Sequence, residues 1–267
     1  MTPDIPRIGL GTSKLAGGLD AILSAVEVGY RHIDTAQNYG TEEIVGQAVR
    51  QCGLPRSELF ITTKVADHRL EHDDFLRSVG ESLERLQLDV IDLLLVHWPS
   101  EKDRVPIESY MTALAEAQQR GWTRLMGVSN FTISHLDRSY ELLGQGSLAT
   151  NQVEIHPFLQ VPRMRDYARS RGLLLTAYQP LAKGTVTEDP TIRRIAGQRG
   201  IDPSTVALAF LLAEGHAVIP SSSSREHQRD NLAAGELVLT DAEMADLRAL
   251  DRGGRRINPQ KSPRWDD

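Results

Sequence analysis

A chain of 267 residues, 40% apolar and 25% charged, has enough hydrophobic mass for one sizeable globular domain. Its net charge of −6 and the lack of a basic stripe with interleaved aromatics argue against a nucleic-acid partner, and no run approaches the ~20 apolar residues of a membrane span. A single cysteine, Cys52, excludes an internal disulfide, and the opening Met1-Thr2-Pro3-Asp4-Ile5-Pro6-Arg7 has no signal-peptide core, so a cytoplasmic protein is expected.

Short β-branched runs alternate with segments of helical period from the amino terminus onward. A strand at 8–12 precedes a helix over 19–28, and 31–35 precedes 42–51, where Thr41 stands before Glu42 and Glu43. The next pairs are 59–64 with 73–86, 91–96 with 107–120, and 124–129 with 133–142. Strands at 149–153 and 174–178 follow, with helices over 163–171 and 203–213. A last strand at 217–220 leads to a short helix over 226–232, and Thr240-Asp241-Ala242-Glu243 reads as a capping box opening a final helix to Leu250. Gly29, Gly53, Gly121 and Gly172 mark helix ends, and Cys52 packs near the end of its helix. The tail over 252–267 reads as a loop lying over one end of the domain. Eight such units with no linker predict a single domain over 1–267, a (β/α)8 TIM barrel with its site at the carboxyl ends of the strands.

Those strand ends carry the chemistry. Asp34, Lys64 and His97 close strands two, three and four, and Tyr39 sits in the loop five residues beyond Asp34. A buried lysine needs a carboxylate, so an Asp34 to Lys64 pair is expected. Each residue alone is more often structural, yet three successive strand ends point to a shared pocket. Only one of the four is a good zinc ligand, so the set suits proton delivery to a carbonyl oxygen. His68, His72, Asp73 and Asp74 lie in a polar segment expected to be solvated, and no metal is expected.

Later strands end in uncharged groups. Ser129, Asn130 and Gln152 offer hydroxyl and amide groups and Tyr178 an aromatic face, matching a flat ring that bears an amide. After strand eight, Ser221, Ser222, Ser223, Ser224 and Arg225 precede a helix start, a plausible phosphate site. The fingerprint G-x-G-x-x-G is absent, so a dinucleotide would lie across the barrel mouth.

Taken in order, Gly9-Leu10-Gly11-Thr12, Gly29-Tyr30-Arg31, Asp34-Thr35-Ala36, Tyr39, Lys64, His97-Trp98-Pro99, Gly127-Val128-Ser129-Asn130-Phe131, Asn151-Gln152, Tyr178 and Asn231 resemble the aldo-keto reductases from end to end. The resemblance implies Tyr39 as proton donor, Lys64 and Asp34 tuning it, and His97 orienting the carbonyl with Trp98 beside the substrate. It implies NADPH as cofactor, with Ser129, Asn130 and Gln152 on the carboxamide and Tyr178 on the ring. Leu181, Ser221, Ser222, Ser223, Arg225 and Asn231 would surround the remainder. It further implies a monomer acting on small dicarbonyls such as methylglyoxal and keto-sugars such as 2,5-diketo-D-gluconate. Three positions depart from the pattern: Ala66 where many relatives carry tryptophan, Ser221 where a lysine is common, and His227 where an arginine is expected. Ala66 would then remove one aromatic wall of the substrate pocket. Two other readings are a nucleotide-sensing protein on the same barrel with negligible turnover, and a metal-dependent hydrolase. The retained polar quartet opposes the first, and the first strand's end in Thr12 opposes the second.

Overall fold

In the computed structural model, which describes residues 4–266, strands pair in parallel in their order along the chain. The elements are β1 (Gly9–Gly11), α1 (Gly18–Val28), β2 (His32–Asp34), α2 (Glu42–Gln51), β3 (Phe60–Val65) and α3 (His72–Leu86). They continue through β4 (Ile91–Val96), α4 (Ile107–Gln119), β5 (Thr123–Ser129), α5 (Ile133–Leu143), β6 (Thr150–Glu154) and α6 (Pro162–Arg171). The last are β7 (Leu174–Tyr178), α7 (Pro190–Arg199), α8 (Pro203–Ala213), β8 (Ala217–Val218), α9 (Arg225–Ala233) and α10 (Asp241–Arg248). A parallel bridge between Ile8 and Val218 joins the first strand to the last, giving the (β/α)8 barrel. Met1, Thr2 and Pro3 of the opening segment, and Asp267 of the tail, lie outside the described residues.

The period-two alternation of each strand builds two cores. Ile61 and Val65 of β3 face outward with Leu94 and Val96 of β4, and these join the helix side chains in the larger core. Phe60, Leu93, Leu95, Ala149, Leu174 and Ala217 form a second cluster with Ile5. Following the Phe60 face two residues at a time leads through Thr62 to Lys64, and following Leu93 and Leu95 leads to His97. Apolar residues thus fill the lower barrel, while polar ones are delivered to its carboxyl end.

Local signals explain most boundaries. The Thr240 hydroxyl accepts from Glu243 N, and the Glu243 carboxylate accepts from Thr240 N at 2.7 Å, the reciprocal cap expected at α10. Thr41 stands at the start of α2 but does not cap it. Its hydroxyl lies instead 2.9 Å from that of Thr12 and 2.8 Å from that of Thr35, tying the tops of β1 and β2 together. Helix α7 was not anticipated by apolar periodicity, because only Ile192, Ile195 and Ala196 are buried along it. Asp189 capping two amides before Pro190 was the available signal. Cys52 ends α2, its thiol 3.4 Å from the Val49 carbonyl. Among the described residues, no helix is long and apolar enough to cross a membrane.

Helices α2 and α3 meet where Gly46 is required. A Cβ there would lie 2.2 Å from the Leu86 carbonyl oxygen, an overlap that only backbone movement relieves. Gly46→Ala is therefore expected to lose about 1–3 kcal/mol of stability. The loss should appear as a lower urea midpoint at constant slope, and an unchanged midpoint would show that the helices separate at no cost.

Candidate active site

The inward faces of β2 and β3 bring Asp34 and Lys64 together. Both are essentially excluded from solvent, and the Lys64 ammonium donates to Asp34 Oδ1 and, at 2.8 Å, to the Thr35 carbonyl. Gln152 of β6 donates to the other carboxylate oxygen at 2.7 Å. Burial, the largest influence, works against the ammonium, but Asp34 and Tyr39 together outweigh it, so Lys64 is held above its usual range and stays charged.

Tyr39 ends a single 3-10 turn, Gln37–Tyr39, which closes at Gly40 with φ of 67°. Gln37 fixes this turn. Its amide nitrogen donates to the Ser78 carbonyl and the Ser82 hydroxyl, both at 3.0 Å, and its oxygen accepts from Ala66 N at 2.8 Å. The Tyr39 ring then stands edge-on to His97, centroids 5.5 Å apart, with the Lys64 ammonium 5.0 Å from its centroid. Burial pushes the phenol above its usual range, while Lys64 pulls in the opposite direction. Desolvation outweighs Lys64, and the phenol is fully protonated near neutral pH.

His97 follows β4 and is also buried. Desolvation first, then the nearby Lys64 and Lys261 ammonium groups, lower its pKa to about 3. The imidazole is therefore neutral near pH 7, and its Nδ1 has no hydrogen-bond partner among the described residues.

Asp34, Tyr39, His97 and Trp98 line a cavity of about 510 Å³, together with Ser129, Asn130, Gln152 and Tyr178. Asn130 adopts a left-handed φ of 63°, and its amide bridges three elements. It donates to the His97 carbonyl at 3.0 Å and to the Ser129 hydroxyl at 3.1 Å, and it accepts from the Tyr178 hydroxyl at 2.8 Å. Leu181 and Ser221 also line the cavity.

Ser222, Ser223, Arg225 and Asn231 are not among its lining residues. The Ser222 hydroxyl accepts from Ser224 N at 3.2 Å, and Ser224 caps α9. Arg225 pairs with Glu27 at 2.6 Å on the surface, and Asn231 is buried on α9 with its Oδ1 unpartnered among the described residues. Ala66 is buried and is not among the residues that line the cavity. Trp98 supplies an aromatic surface there, with the tail residue Trp265 packed edge-on at 6.0 Å.

Lys183, Gly184 and Ile257 line the cavity and were not anticipated. Ala182, Lys183 and Gly184 have consecutive positive φ of 47°, 56° and 86° just past β7, and the glycine at that strand end was a usable signal. Ile257 arrives from the tail, for which no local pattern exists. His72 contacts Asp73 at 3.1 Å and Glu116 at 3.3 Å, and no group of three or more metal-ligating side chains occurs among the described residues.

The sequence profile described as the aldo/keto reductase family matches residues 7–252. Methylglyoxal reductase DkgB of Salmonella typhimurium is 42% identical over 265 residues, covering 98% of this chain and 99% of that protein. A crystal structure provisionally assigned as a 2,5-diketo-D-gluconic acid reductase B superposes with a TM-score of 0.94 at 38% identity, covering 99% of this chain and 95% of that one. MGS-M4, an aldo-keto reductase enzyme from a Medee basin deep-sea metagenome library, superposes at 0.90 with 32% identity over 96% of this chain and 95% of its own.

Proposed function

The chain belongs to the aldo/keto reductase family, and from that premise we propose that it is a monomeric, cytoplasmic, NADPH-dependent reductase of small carbonyl compounds. Methylglyoxal-like dicarbonyls and keto-sugars such as 2,5-diketo-D-gluconate are the proposed substrates. The observation that carries this reading is the buried Asp34 to Lys64 pair beside a protonated Tyr39 and a neutral His97, with Asp34, Tyr39 and His97 lining one cavity.

The donor set fits a nicotinamide. Asn130 and Gln152 present amide groups, Ser129 a hydroxyl and Tyr178 a ring, all on the cavity wall and without an ionisable group that would oppose an uncharged carboxamide. Leu181 and Ser221 extend that wall, and Ser222, Ser223, Arg225 and Asn231 would hold the adenosine end. When bound, the cofactor supplies a hydride to the carbonyl carbon. Tyr39 delivers its phenolic proton to the carbonyl oxygen as negative charge develops there. Lys64 stabilises the phenolate that remains, and Asp34 keeps Lys64 charged and in place. Neutral His97 gives the oxygen a second hydrogen-bond donor, which favours the transition state over the ground state. Trp98 flanks the substrate.

A panel of dicarbonyls, keto-sugars, aldoses and aromatic aldehydes, run with NADPH and with NADH, tests the reading. No turnover with any carbonyl would overturn it and favour a nucleotide-binding protein on the same barrel. Cofactor choice has its own test in Arg225. A guanidinium pairing with the 2′-phosphate would exchange Glu27 for a more highly charged partner. Arg225→Ala is expected to weaken NADPH binding by about 1.5 kcal/mol, roughly tenfold, and NADH much less. Titration of intrinsic fluorescence at low salt would measure both constants. Equal weakening of the two would remove Arg225 from the 2′-phosphate.

A further inference from the structure

Glu154 is a fully buried carboxylate that the proposed chemistry leaves unused. It ends β6, two residues beyond Gln152 on the same face of the strand, and it is fixed by its partners. Its Oε1 accepts from Arg256 N at 2.8 Å and lies 3.1 Å from His156 Nε2, and its Oε2 accepts from Ile257 N at 2.8 Å. Both amides belong to the tail beyond α10, which among its described residues has no strand or helix of its own and hence no ladder to hold it. The tail is also tethered by Gly254 N, which donates to the Phe158 carbonyl at 2.8 Å. Ile257, one of the two residues clamped by the carboxylate, is half-buried and lines the same cavity as Tyr39 and His97.

We propose that Glu154 is a positioning residue for substrate choice: its carboxylate latches the tail so that Ile257 forms a fixed part of the cavity wall. An apolar side chain in that place could pack against the tail but could not fix two consecutive amides. A carboxylate accepts from both at once, and its oxygens set the position of Ile257 along the chain as well as its distance from β6. The latch also reaches further. Residues beyond Ile257 bring Lys261 onto Asp67 at 2.8 Å and Trp265 against the cavity-lining Trp98, so the registration set at Glu154 is carried on to these contacts. Gln152 and Glu154 thus use one strand face for two tasks, holding Asp34 on one side and the tail on the other.

The inference rests on the reductase reading, and its test separates the two. Glu154→Gln preserves shape but replaces one accepting oxygen by an amide that donates. Hydrogen exchange of the unliganded protein is expected to show the amides of residues 254–258 exchanging at least tenfold faster. Steady-state kinetics with NADPH should show KM for bulky carbonyls changing severalfold relative to KM for methylglyoxal, with kcat for methylglyoxal within about twofold of the parent. Ile257→Ala, at a half-buried position, should reproduce the change in substrate ranking while leaving that exchange unaltered. Unaltered exchange in Glu154→Gln would overturn the latch. Faster exchange with an unchanged substrate ranking in both variants would overturn its role in selection. If Glu154→Gln fails to fold, the Ile257→Ala ranking decides alone, and no change in it refutes the proposal. A parent protein inactive on every carbonyl would instead overturn the reductase reading, an outcome visible before any variant is made.

Discussion

Tyr39→Phe is expected to lower turnover by at least ~10²-fold while leaving cofactor affinity nearly intact. The substitution removes only the hydroxyl, so the ring keeps its edge-on contact with His97 and its place above the Lys64 ammonium. A large effect follows because no neighbour replaces the proton. His97 is held neutral by burial and by two nearby cations, with a pKa of about 3, and the Lys64 proton is retained by Asp34. The same values fix the shape of the pH profile. Tyr39 carries its proton throughout the neutral range, and His97 gains none until strongly acid pH, so kcat in the parent should show no histidine step between pH 5 and 8. Near-normal turnover in Tyr39→Phe would move the proton source elsewhere, and a step near pH 6.5 would show that His97 is more hydrated than its burial implies.

The barrel and its polar quartet were legible because they are written in short-range pattern. Alternation along β3 and β4 places Lys64 and His97 inward without knowledge of any partner strand, and eight repeats of one unit specify closure. The sequence also anticipated the Asp34 to Lys64 pair, since an ammonium at the end of a buried strand needs a counter-charge. Three kinds of information were out of reach. The balance of desolvation against Lys64 at Tyr39 depends on how much surrounding structure excludes water, which composition does not report. The role of Thr41 turned on hydroxyl groups from two other segments. Ile257 enters the cavity through hydrogen bonds to Glu154 spanning more than a hundred residues, and nothing near Ile257 in the chain marks it. Helix α7 is a different case: its cap and proline were visible, but its narrow apolar stripe did not register as a helical period.

Lys64→Met should have the other large effect, and it acts on stability and turnover through separate routes. Removing the ammonium leaves the buried Asp34 with Gln152 as its remaining side-chain donor, and the Thr35 carbonyl loses its lysine bond. Breaking one partner of such a pair costs about 3–5 kcal/mol, which thermal or urea unfolding would detect. Turnover should fall by at least ~10²-fold because the phenolate formed at Tyr39 loses its nearest cation. The sign of the pH effect is also fixed. Lys64 lowers the Tyr39 pKa against the larger upward effect of burial, so its loss raises that pKa further and moves the basic limb of any residual activity upward. The double variant Asp34→Asn with Lys64→Met separates the two roles. Removing both charges should restore much of the lost stability, since no isolated buried ion remains, but it cannot restore the cation beneath the phenol. Stability recovered without turnover would assign Lys64 to the chemistry. Turnover recovered together with stability would reduce the pair to a structural support of the barrel mouth.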